Sequence, residues 1–212
     1  MKNKIVDTHC HLDFPDFEDD LDNVINNAKK KGVDFFLTIS INLEKFNRIY
    51  NITQKYKNVW CSTGVHPNNV PLNSNSNLID KLRNQLIKNI SQDKVIGIGE
   101  TGLDFFRNEN NKKNQLDYFH THMVVSGETK SPLIIHTRSA DKETINFLKN
   151  YAGKYNIKGL LHCFSSSREL AKIALDNGFY ISFSGLATYK NSENIQDVLR
   201  FIPLDRLLVE TD

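Results

Sequence analysis

Short apolar segments alternate with longer amphipathic segments throughout the chain, and this alternation restricts the fold more than any other feature of the sequence. The first apolar segment, KIVDT, has the β-branched residues of a strand. The segment after it, DDLDNVINNAKKKG, has apolar residues at helical spacing and ends in Gly32, a typical C-terminal stop. Because strands that alternate with helices form βαβ units, the sequence predicts a parallel sheet.

The same alternation continues along the chain and predicts eight strands and seven helices. The other seven strands are VDFFLTISI, VWCSTGVHP, KVIGIGE, SPLIIHTR, IKGLLHCFS, FYISFSG and DRLLVETD. We expect the helix that contains HTH to end at Gly127, and the helix after LLHCFS to begin with a capping box of Ser166 and Glu169. An open, doubly wound sheet would carry a glycine-rich fingerprint after its first strand, and this sequence has none there. We therefore predict an α/β fold: a single (β/α)8 TIM-type barrel domain over residues 1–212 that lacks the final helix.

The composition is that of an ordinary globular protein: 39% of the 212 residues are hydrophobic, 25% are charged, and the net charge is +2. This balance gives no global indication of binding to nucleic acid or to an anionic membrane, and it leaves room for a local basic patch. No apolar run reaches the length of a membrane span. Polar residues Asp7 and His9 follow the N-terminus so closely that no apolar segment of a signal peptide fits before them. Three scattered cysteines suit free thiols in a reducing compartment. We expect a soluble cytoplasmic protein without a membrane partner.

Two histidines, one residue apart, stand where the first strand ends, in DTHCHLD. Alternate side chains of a strand share a face, so His9 and His11 point to one side and Cys10 to the other. Two neighbouring imidazoles can hold a metal ion, and they can equally be two polar residues that leave a strand. Taken alone, the pair leaves both interpretations open.

The other predicted strand ends strengthen the metal interpretation. Barrel enzymes place their sites at the carboxyl ends of the strands. In this chain those ends carry His9, His11, His66, Glu100, His136, His162 and Asp212. The two remaining histidines, His120 and His122, lie in a helical pattern, where residues two apart project to nearly opposite sides and cannot share a metal. We expect them on the surface.

Six segments, DTHCHLD, GVHP, IGIGETGLDF, PLIIHTR, LLHCFS and LLVETD, resemble in order and spacing the signature segments of the TatD family of metal-dependent deoxyribonucleases. This family belongs to the amidohydrolase-like barrels, and the resemblance runs from residue 5 to the last residue. It implies that one metal ion is bound by His9, His11, Glu100 and Asp212. It implies a second ion bound by Glu100, His136 and His162, with Glu100 as the bridge. It also implies a 3′-5′ exodeoxyribonuclease that acts on DNA, on single strands or at 3′ ends.

The residue types agree with two divalent metal ions. Mixed imidazole and carboxylate ligands suit Zn²⁺, Mn²⁺ or Mg²⁺ and do not choose among them. In many of the amidohydrolase barrels that the chain resembles, a modified lysine ends the fourth strand; VIGIGE offers no lysine there, so the resemblance implies that a carboxylate bridges the ions. Two such ions can clamp both the attacking and the leaving oxygen of a phosphodiester. Asp212, taken as the only carboxylate at the end of the eighth strand, is the candidate to orient a water and accept its proton, so Glu100 and Asp212 are the predicted catalytic pair.

Four residues are candidates for substrate contact: His66, Asp104, Arg107 and Arg138. His66 either contacts a phosphate or closes its strand. Arg138 offers a fork that suits a phosphate oxygen, and it could equally form an ion pair that supports a metal ligand.

The residues flanking these candidates are also open to two interpretations. Phe105, Phe106 and Phe164 could stack on bases, and aromatic residues beside a barrel mouth could equally belong to the core. Cys163, between His162 and Phe164, is expected to point into the barrel wall.

The chain departs from the family in two places. Gly127 in VVSGETKSP interrupts a segment that relatives continue as a helix, and the chain ends at ETD, where relatives continue through a loop and a final helix. We therefore expect either a C-terminally truncated or an atypical member. A two-metal hydrolase of another small ester, amide or phosphate is the alternative enzyme, and a catalytically silent barrel that binds a partner is the alternative outside catalysis. The oligomeric state stays open.

Overall fold

The computed structural model of the chain describes residues 4–212. Eight parallel strands follow one another around a single sheet in chain order. The strands are β1 (Ile5–Cys10), β2 (Val33–Thr38), β3 (Val59–Thr63), β4 (Val95–Asp104), β5 (Leu133–Arg138), β6 (Gly159–Leu161), β7 (Tyr180–Phe183) and β8 (Leu207–Val209). The fold is the predicted TIM-type barrel, and the carboxyl ends of all its strands lie at one face.

Seven helices connect successive strands. They are α1 (Leu21–Lys30), α2 (Phe46–Lys55), α3 (Ser76–Ile90), α4 (Lys112–Thr129), α5 (Asp141–Phe147), α6 (Arg168–Asp176) and α7 (Glu193–Phe201). A π-helical segment, Leu148–Ala152, continues α5. Within residues 4–212, no helix is both long enough and apolar enough to cross a membrane.

The largest core cluster lies where the middle helices pack on β4 to β7. Leu86, Phe119, Leu161 and Phe179 are among its fully buried side chains. Burying each such side chain contributes about 1.5–3 kcal/mol. This packed wall fixes the strands whose ends carry the candidate site.

Side chains join β1 to β8. Across residues 4–212 these two strands share no backbone ladder. Asp7 instead accepts hydrogen bonds from the Thr211 backbone N–H at 3.1 Å and from the Thr211 hydroxyl at 2.6 Å. The Thr8 hydroxyl donates to the Val209 carbonyl at 2.9 Å, and the Asp212 N–H donates to the His9 carbonyl at 3.0 Å. We call this junction the β1–β8 seam.

Two expectations about helix ends are wrong. Helix α4 continues through Gly127 to Thr129, and Lys130, with φ of 55°, ends it in the left-handed conformation. The glycine serves packing, because a Cβ there would lie 2.7 Å from the Tyr155 carbonyl oxygen. The predicted capping box is absent from the described residues: Ser167, not Ser166, is the N-cap and accepts the hydrogen bond from the Leu170 N–H, so Glu169 is one position too early to return a bond.

Candidate metal centre

Glu100 lies at the centre of the predicted site, on β4, and its side chain is almost fully buried. One carboxylate oxygen, Oε2, is 3.4 Å from His9 Nε2. The other, Oε1, is 2.8 Å from His162 Nε2, 3.2 Å from His136 Nδ1 and 3.4 Å from His66 Nε2. Imidazole nitrogens therefore face both oxygens, which is the arrangement that a bridging carboxylate needs.

Two glycines allow β4 to lie close to the backbone of its neighbouring segments on both sides. Gly102 has φ of 131°, and a Cβ there would lie 2.0 Å from the His136 carbonyl oxygen. On the other side of β4, a Cβ on Gly64 would lie 2.4 Å from the Gly99 carbonyl carbon. Since only glycine avoids both clashes, these positions let β4 carry Glu100 between the ends of β3 and β5.

Asp212 approaches the same cluster from beyond β8. Its Oδ1 is 3.6 Å from His9 Nε2 and 3.6 Å from His11 Nε2. The backbone bond from the Asp212 N–H to the His9 carbonyl holds it there. The side chains of His9 and His11 thus share a side of the chain, as the alternation in DTHCHLD predicts.

The donor set fits divalent metal ions. His9, His11 and Glu100 offer ligand atoms within 4.8 Å of one another, and so do His66, Glu100 and His136. Both ring nitrogens of His9 are buried and have no hydrogen-bond partner among the described residues. Buried imidazole nitrogens without partners, next to carboxylate oxygens, are the ligands of Zn²⁺ and Mn²⁺ sites.

The structure brings all six predicted ligands close together but groups them differently: Asp212 forms a separate group with Cys163 and Glu210 instead of joining His9, His11 and Glu100. His162 belongs to a third group, with His9 and Glu210, while His66 joins Glu100 and His136. Glu100 is nevertheless common to the first two groups, and His162 touches its Oε1 at 2.8 Å. The ligand assignment stays a prediction, and His66 lies beside the second group.

The ionisable groups of the centre shift one another's pKa values. Burial alone would lower the pKa of His162, but the charge and hydrogen bond of Glu100, aided by Glu210, raise it to about 10. Burial is also outweighed at His11 and His136, whose pKa values are raised by hydrogen bonds to carboxylates and by the charge of Glu100.

Burial wins at the other two imidazoles. It lowers the pKa of His9, and it lowers that of His66 to about 4. Burial opposes ionisation of Glu100, yet the surrounding imidazoles hold its pKa well below the usual range. In the absence of bound cations Glu100 is therefore ionised, and the raised pKa values of His11, His136 and His162 favour the protonated form of these imidazoles at the positions where cations would bind.

Glu210 is a functional candidate that the sequence reasoning missed, and the description of Asp212 as the only carboxylate after β8 is wrong. The Glu210 side chain is fully buried and accepts hydrogen bonds from the Cys163 N–H at 2.6 Å and from the Ser182 hydroxyl. Its Oε1 lies 3.7 Å from His162 Nδ1. A carboxylate behind a ligating imidazole orients the ring and increases its basicity.

The Asp104 side chain stands behind His136 in the same way. Its Oδ2 is 3.5 Å from His136 Nε2, and it accepts hydrogen bonds from the Asn68 side chain at 3.1 Å and the Arg107 N–H at 3.0 Å. Asp104 is also buried. These contacts favour a role in orienting His136 over the predicted contact with substrate.

His66 is held in one tautomer. Its Nδ1 accepts a hydrogen bond from the Asn68 N–H at 3.1 Å. The neutral ring therefore carries its proton on Nε2, which faces Glu100 and the cavity. His66 is thus a hydrogen-bond donor in this arrangement.

A cavity of about 650 Å³ opens above the centre, and we call it the main cavity. Arg107 and Arg138 line it. Arg138 makes no ion pair with the described residues, and its guanidinium stacks 4.1 Å from the ring centre of the exposed Phe106. Of the other aromatic candidates, Phe164 is buried in the core and Phe105 packs against it.

Three expectations about neighbouring residues need correction. Cys163 does not point into the barrel wall: with φ of 42° it lines the main cavity, and its Sγ lies 3.1 Å from the Ser184 hydroxyl. His122 is fully buried rather than on the surface, while His120 is half-buried.

The two helix histidines do point apart, as their spacing predicts. His122 Nε2 accepts from the Val65 N–H at 3.1 Å and Nδ1 bonds to the Tyr118 carbonyl at 2.7 Å, whereas His120 contacts the Tyr155 hydroxyl. His122 is buried because it satisfies two backbone groups between α4 and the GVHP loop.

Comparisons with known proteins agree with this architecture. The family model described as TatD related DNase matches residues 6–212. An uncharacterized metal-dependent hydrolase of Buchnera aphidicola is 42% identical over 98% of this chain and 77% of its own length. The 3′-5′ ssDNA/RNA exonuclease TatD of Citrobacter koseri is 29% identical over 97% of this chain and 77% of its own. The crystal structure of YjjV, a TatD homologue from Escherichia coli, superposes with a TM-score of 0.90 at 28% identity, covering 100% of this chain and 80% of that one.

Proposed function

The chain belongs to the TatD-related DNase family of metal-dependent hydrolases, and from this premise we propose that it hydrolyses DNA phosphodiester bonds, removing nucleotides from 3′ ends of single strands. The observation that carries the proposal is the shared position of Glu100 between two groups of donor atoms. A homologue named as a 3′-5′ exonuclease for single-stranded DNA and RNA supports the substrate and the direction.

We propose that two divalent ions, Mg²⁺, Mn²⁺ or Zn²⁺, are bound at these groups. His9, His11, Glu100 and Asp212 would hold the first ion. Glu100, His136 and His162 would hold the second, with His66 beside it. When bound, such ions supply Lewis acidity: they make a water molecule more acidic and draw negative charge from the phosphodiester.

The protein's own groups would handle the proton and the substrate. Asp212 is partly exposed at the main cavity, and although burial opposes ionisation, its hydrogen bond to His11 and the charges of His162 and His9 keep its pKa below the usual range. An ionised carboxylate at this position can orient the attacking water and accept its proton as the reaction proceeds.

Substrate contacts would come from donors around the main cavity. His66 presents the Nε2–H of a neutral ring, which can donate to a phosphate oxygen without adding charge. Arg107 and Arg138 line the same cavity and can neutralise the backbone of a nucleic acid. This combination favours a phosphodiester over an uncharged ester or amide.

The test combines metal analysis with nuclease assays. Purified protein is loaded with each metal, and single-stranded DNA labelled at either end is followed for release of mononucleotides. We expect release from the 3′ end, and Glu100→Ala should reduce it by at least about 100-fold with loss of bound metal.

The matched control is His120→Ala, which removes an imidazole outside the centre and should change neither metal content nor rate. Wild-type turnover by Glu100→Ala at saturating metal would contradict the two-metal assignment. Hydrolysis of a small phosphate ester without any action on DNA would instead favour the alternative hydrolase.

A further inference from the structure

A second, smaller cavity of about 140 Å³ adjoins the main cavity. Phe14, Ile41 and Asn69 line both cavities, so the two share a wall. At about 30 Å³ for each water-sized group, the smaller one holds four or five such groups, which is the size of one phosphate rather than of a whole nucleotide.

Two cations stand at this second cavity. Lys45 and Arg48 line it, both exposed. Arg48 contacts Glu18 at 3.1 Å, but both side chains of this pair are well exposed, so the pair is weak and the guanidinium can turn to a ligand. The Asn42 side-chain oxygen accepts from the Glu44 N–H, which leaves its amide nitrogen as a neutral donor without a partner among the described residues.

Asp13 is the one acidic side chain of the cavity, and its Oδ1 is buried without a hydrogen-bond partner in residues 4–212. A carboxylate there opposes an anion, while the two cations attract one. Removing the Asp13 charge should therefore strengthen the binding of an anion and weaken the binding of a cation or a hydrogen-bond donor, so the direction of the change in affinity identifies the kind of ligand.

An aromatic ring separates the two cavities. Phe14 is 38% exposed, and its ring stacks on the predicted metal ligand His11 with centroids 4.7 Å apart. Proteins that bind single-stranded nucleic acid combine a basic track for the backbone with aromatic rings that stack on bases. Phe14 and the two cations next to it provide both components within one wall.

We infer that the second cavity is a subsite for the neighbouring phosphate of a polynucleotide whose terminal phosphodiester lies over Glu100. Lys45 and Arg48 bind that phosphate, and Phe14 contacts the nucleoside between the two phosphates. The inference rests on the proposed function and adds to it a preference for substrates with at least two phosphodiesters.

The test uses two minimal substrates with the metal-loaded protein. TpT has a single phosphate, the one that is cut, and TpTpT keeps a second phosphate for the subsite. We expect a KM about fivefold to tenfold lower for TpTpT than for TpT in the wild-type protein. Lys45→Ala and Arg48→Ala should each reduce this difference by raising the KM of TpTpT, while the KM of TpT and the metal content stay unchanged.

Matched controls remove the same charges elsewhere. Lys55→Ala changes a lysine of α2, the helix that carries Arg48, and this lysine pairs with Asp22; Arg83→Ala changes an arginine in a similar exposed pair with Glu128. Neither residue lines either cavity. Both controls should keep the preference for TpTpT. In a plot of the logarithm of the binding constant for an oligonucleotide against the logarithm of the salt concentration, the slope should be about 0.7 less steep for Lys45→Ala and unchanged for Lys55→Ala.

Asp13→Asn gives the decisive sign. If the subsite binds phosphate, this variant should keep or lower the KM of TpTpT. A raised KM for TpTpT would mean that the cavity binds a hydrogen-bond donor, and it would overturn the inference.

Two results separate this inference from the proposed function. Equal KM values for TpT and TpTpT in all proteins, with both substrates cut, would refute the subsite and leave the nuclease intact. Failure of the metal-loaded wild-type protein to cut either substrate or longer DNA would refute the nuclease itself, and the subsite with it.

Discussion

Metal ions should bind more tightly, and stabilise the protein more, as the pH rises from about 6.5 toward about 10. The proton on His162 is the reason, because the interactions with Glu100 and Glu210 raise its pKa from 6.5 to about 10. An ion needs the neutral ring, so ion and proton compete for the same nitrogen. His11 and His136, whose pKa values are also raised, add to this competition.

The magnitude follows from the proton count. Each displaced proton makes the metal affinity rise about tenfold per pH unit, which is about 1.4 kcal/mol. Between about pH 7 and pH 9, the proton on His162 alone therefore accounts for a hundredfold change, or about 2.7 kcal/mol. For a chain of this size, roughly 2–4 °C per kcal/mol converts this into about 5–10 °C of additional metal-induced rise in Tm.

The metal-free protein should change in the opposite direction. A group whose pKa is raised on folding stabilises the fold fully below its unfolded pKa, and this contribution is lost as the pH rises through the folded pKa. For His162 the window is 6.5 to about 10. Without metal, the Tm should therefore fall across the range in which the effect of metal grows.

The assay is a set of thermal melts with and without saturating Mn²⁺ at several pH values. Calorimetry at pH 7 in two buffers of different ionisation enthalpy counts the protons released, and we expect between one and three, from His11, His136 and His162. A metal-induced shift in Tm that does not vary with pH, together with no proton release, would refute this reasoning.

Three further outcomes concern positions around the centre. Glu210→Gln should weaken metal binding about 10- to 100-fold, because His162 loses its carboxylate partner; a metal titration with wild-type affinity would contradict this role. His122→Ala should lower the free energy of unfolding by about 2–4 kcal/mol, since the buried Val65 N–H loses its acceptor and the fully buried ring leaves a cavity, whereas His120→Ala should lower it by less than about 1 kcal/mol; denaturant titrations compare the two, and equal losses would contradict the structural role of His122. Gly102→Ala should reduce both metal content and Tm, because the added Cβ would meet the backbone of β5 at 2.0 Å, and a variant with both values intact would show that β4 can move away.

The barrel and the position of its site could be read from the sequence because both follow from periodicity. Alternating strands and helices fix a parallel sheet, and the ends of parallel strands meet at one face, so residues as distant as His9 and Asp212 were expected together. The structure confirms the fold and brings these side chains within 3.6 Å. The assignment of ligands to particular ions stays a prediction.

What the sequence reasoning missed depends on contacts that periodicity does not encode. Glu210 is the partial exception: it lies two residues before Asp212, and the alternation that pairs His9 with His11 predicts a shared face there too. His122 had no such signal, since its burial requires two backbone partners from different elements. Cys163 turns toward the main cavity through a positive φ, which a non-glycine residue rarely adopts.

At the β1–β8 seam the barrel is closed by side-chain hydrogen bonds, whereas every other pair of adjacent strands is joined by a backbone ladder. The two residues that each of these side-chain bonds joins are 201 or 204 positions apart in the sequence. The entropy of loop closure therefore opposes these bonds more than it opposes the pairing of strands that follow one another in the chain. Local opening of the native protein should therefore begin here, and amide hydrogens of β1 and β8 should exchange with solvent before those of β4 and β5. Ions held by His9, His11 and Asp212 would span the same gap, so loading the centre would hold the barrel closed and slow this exchange.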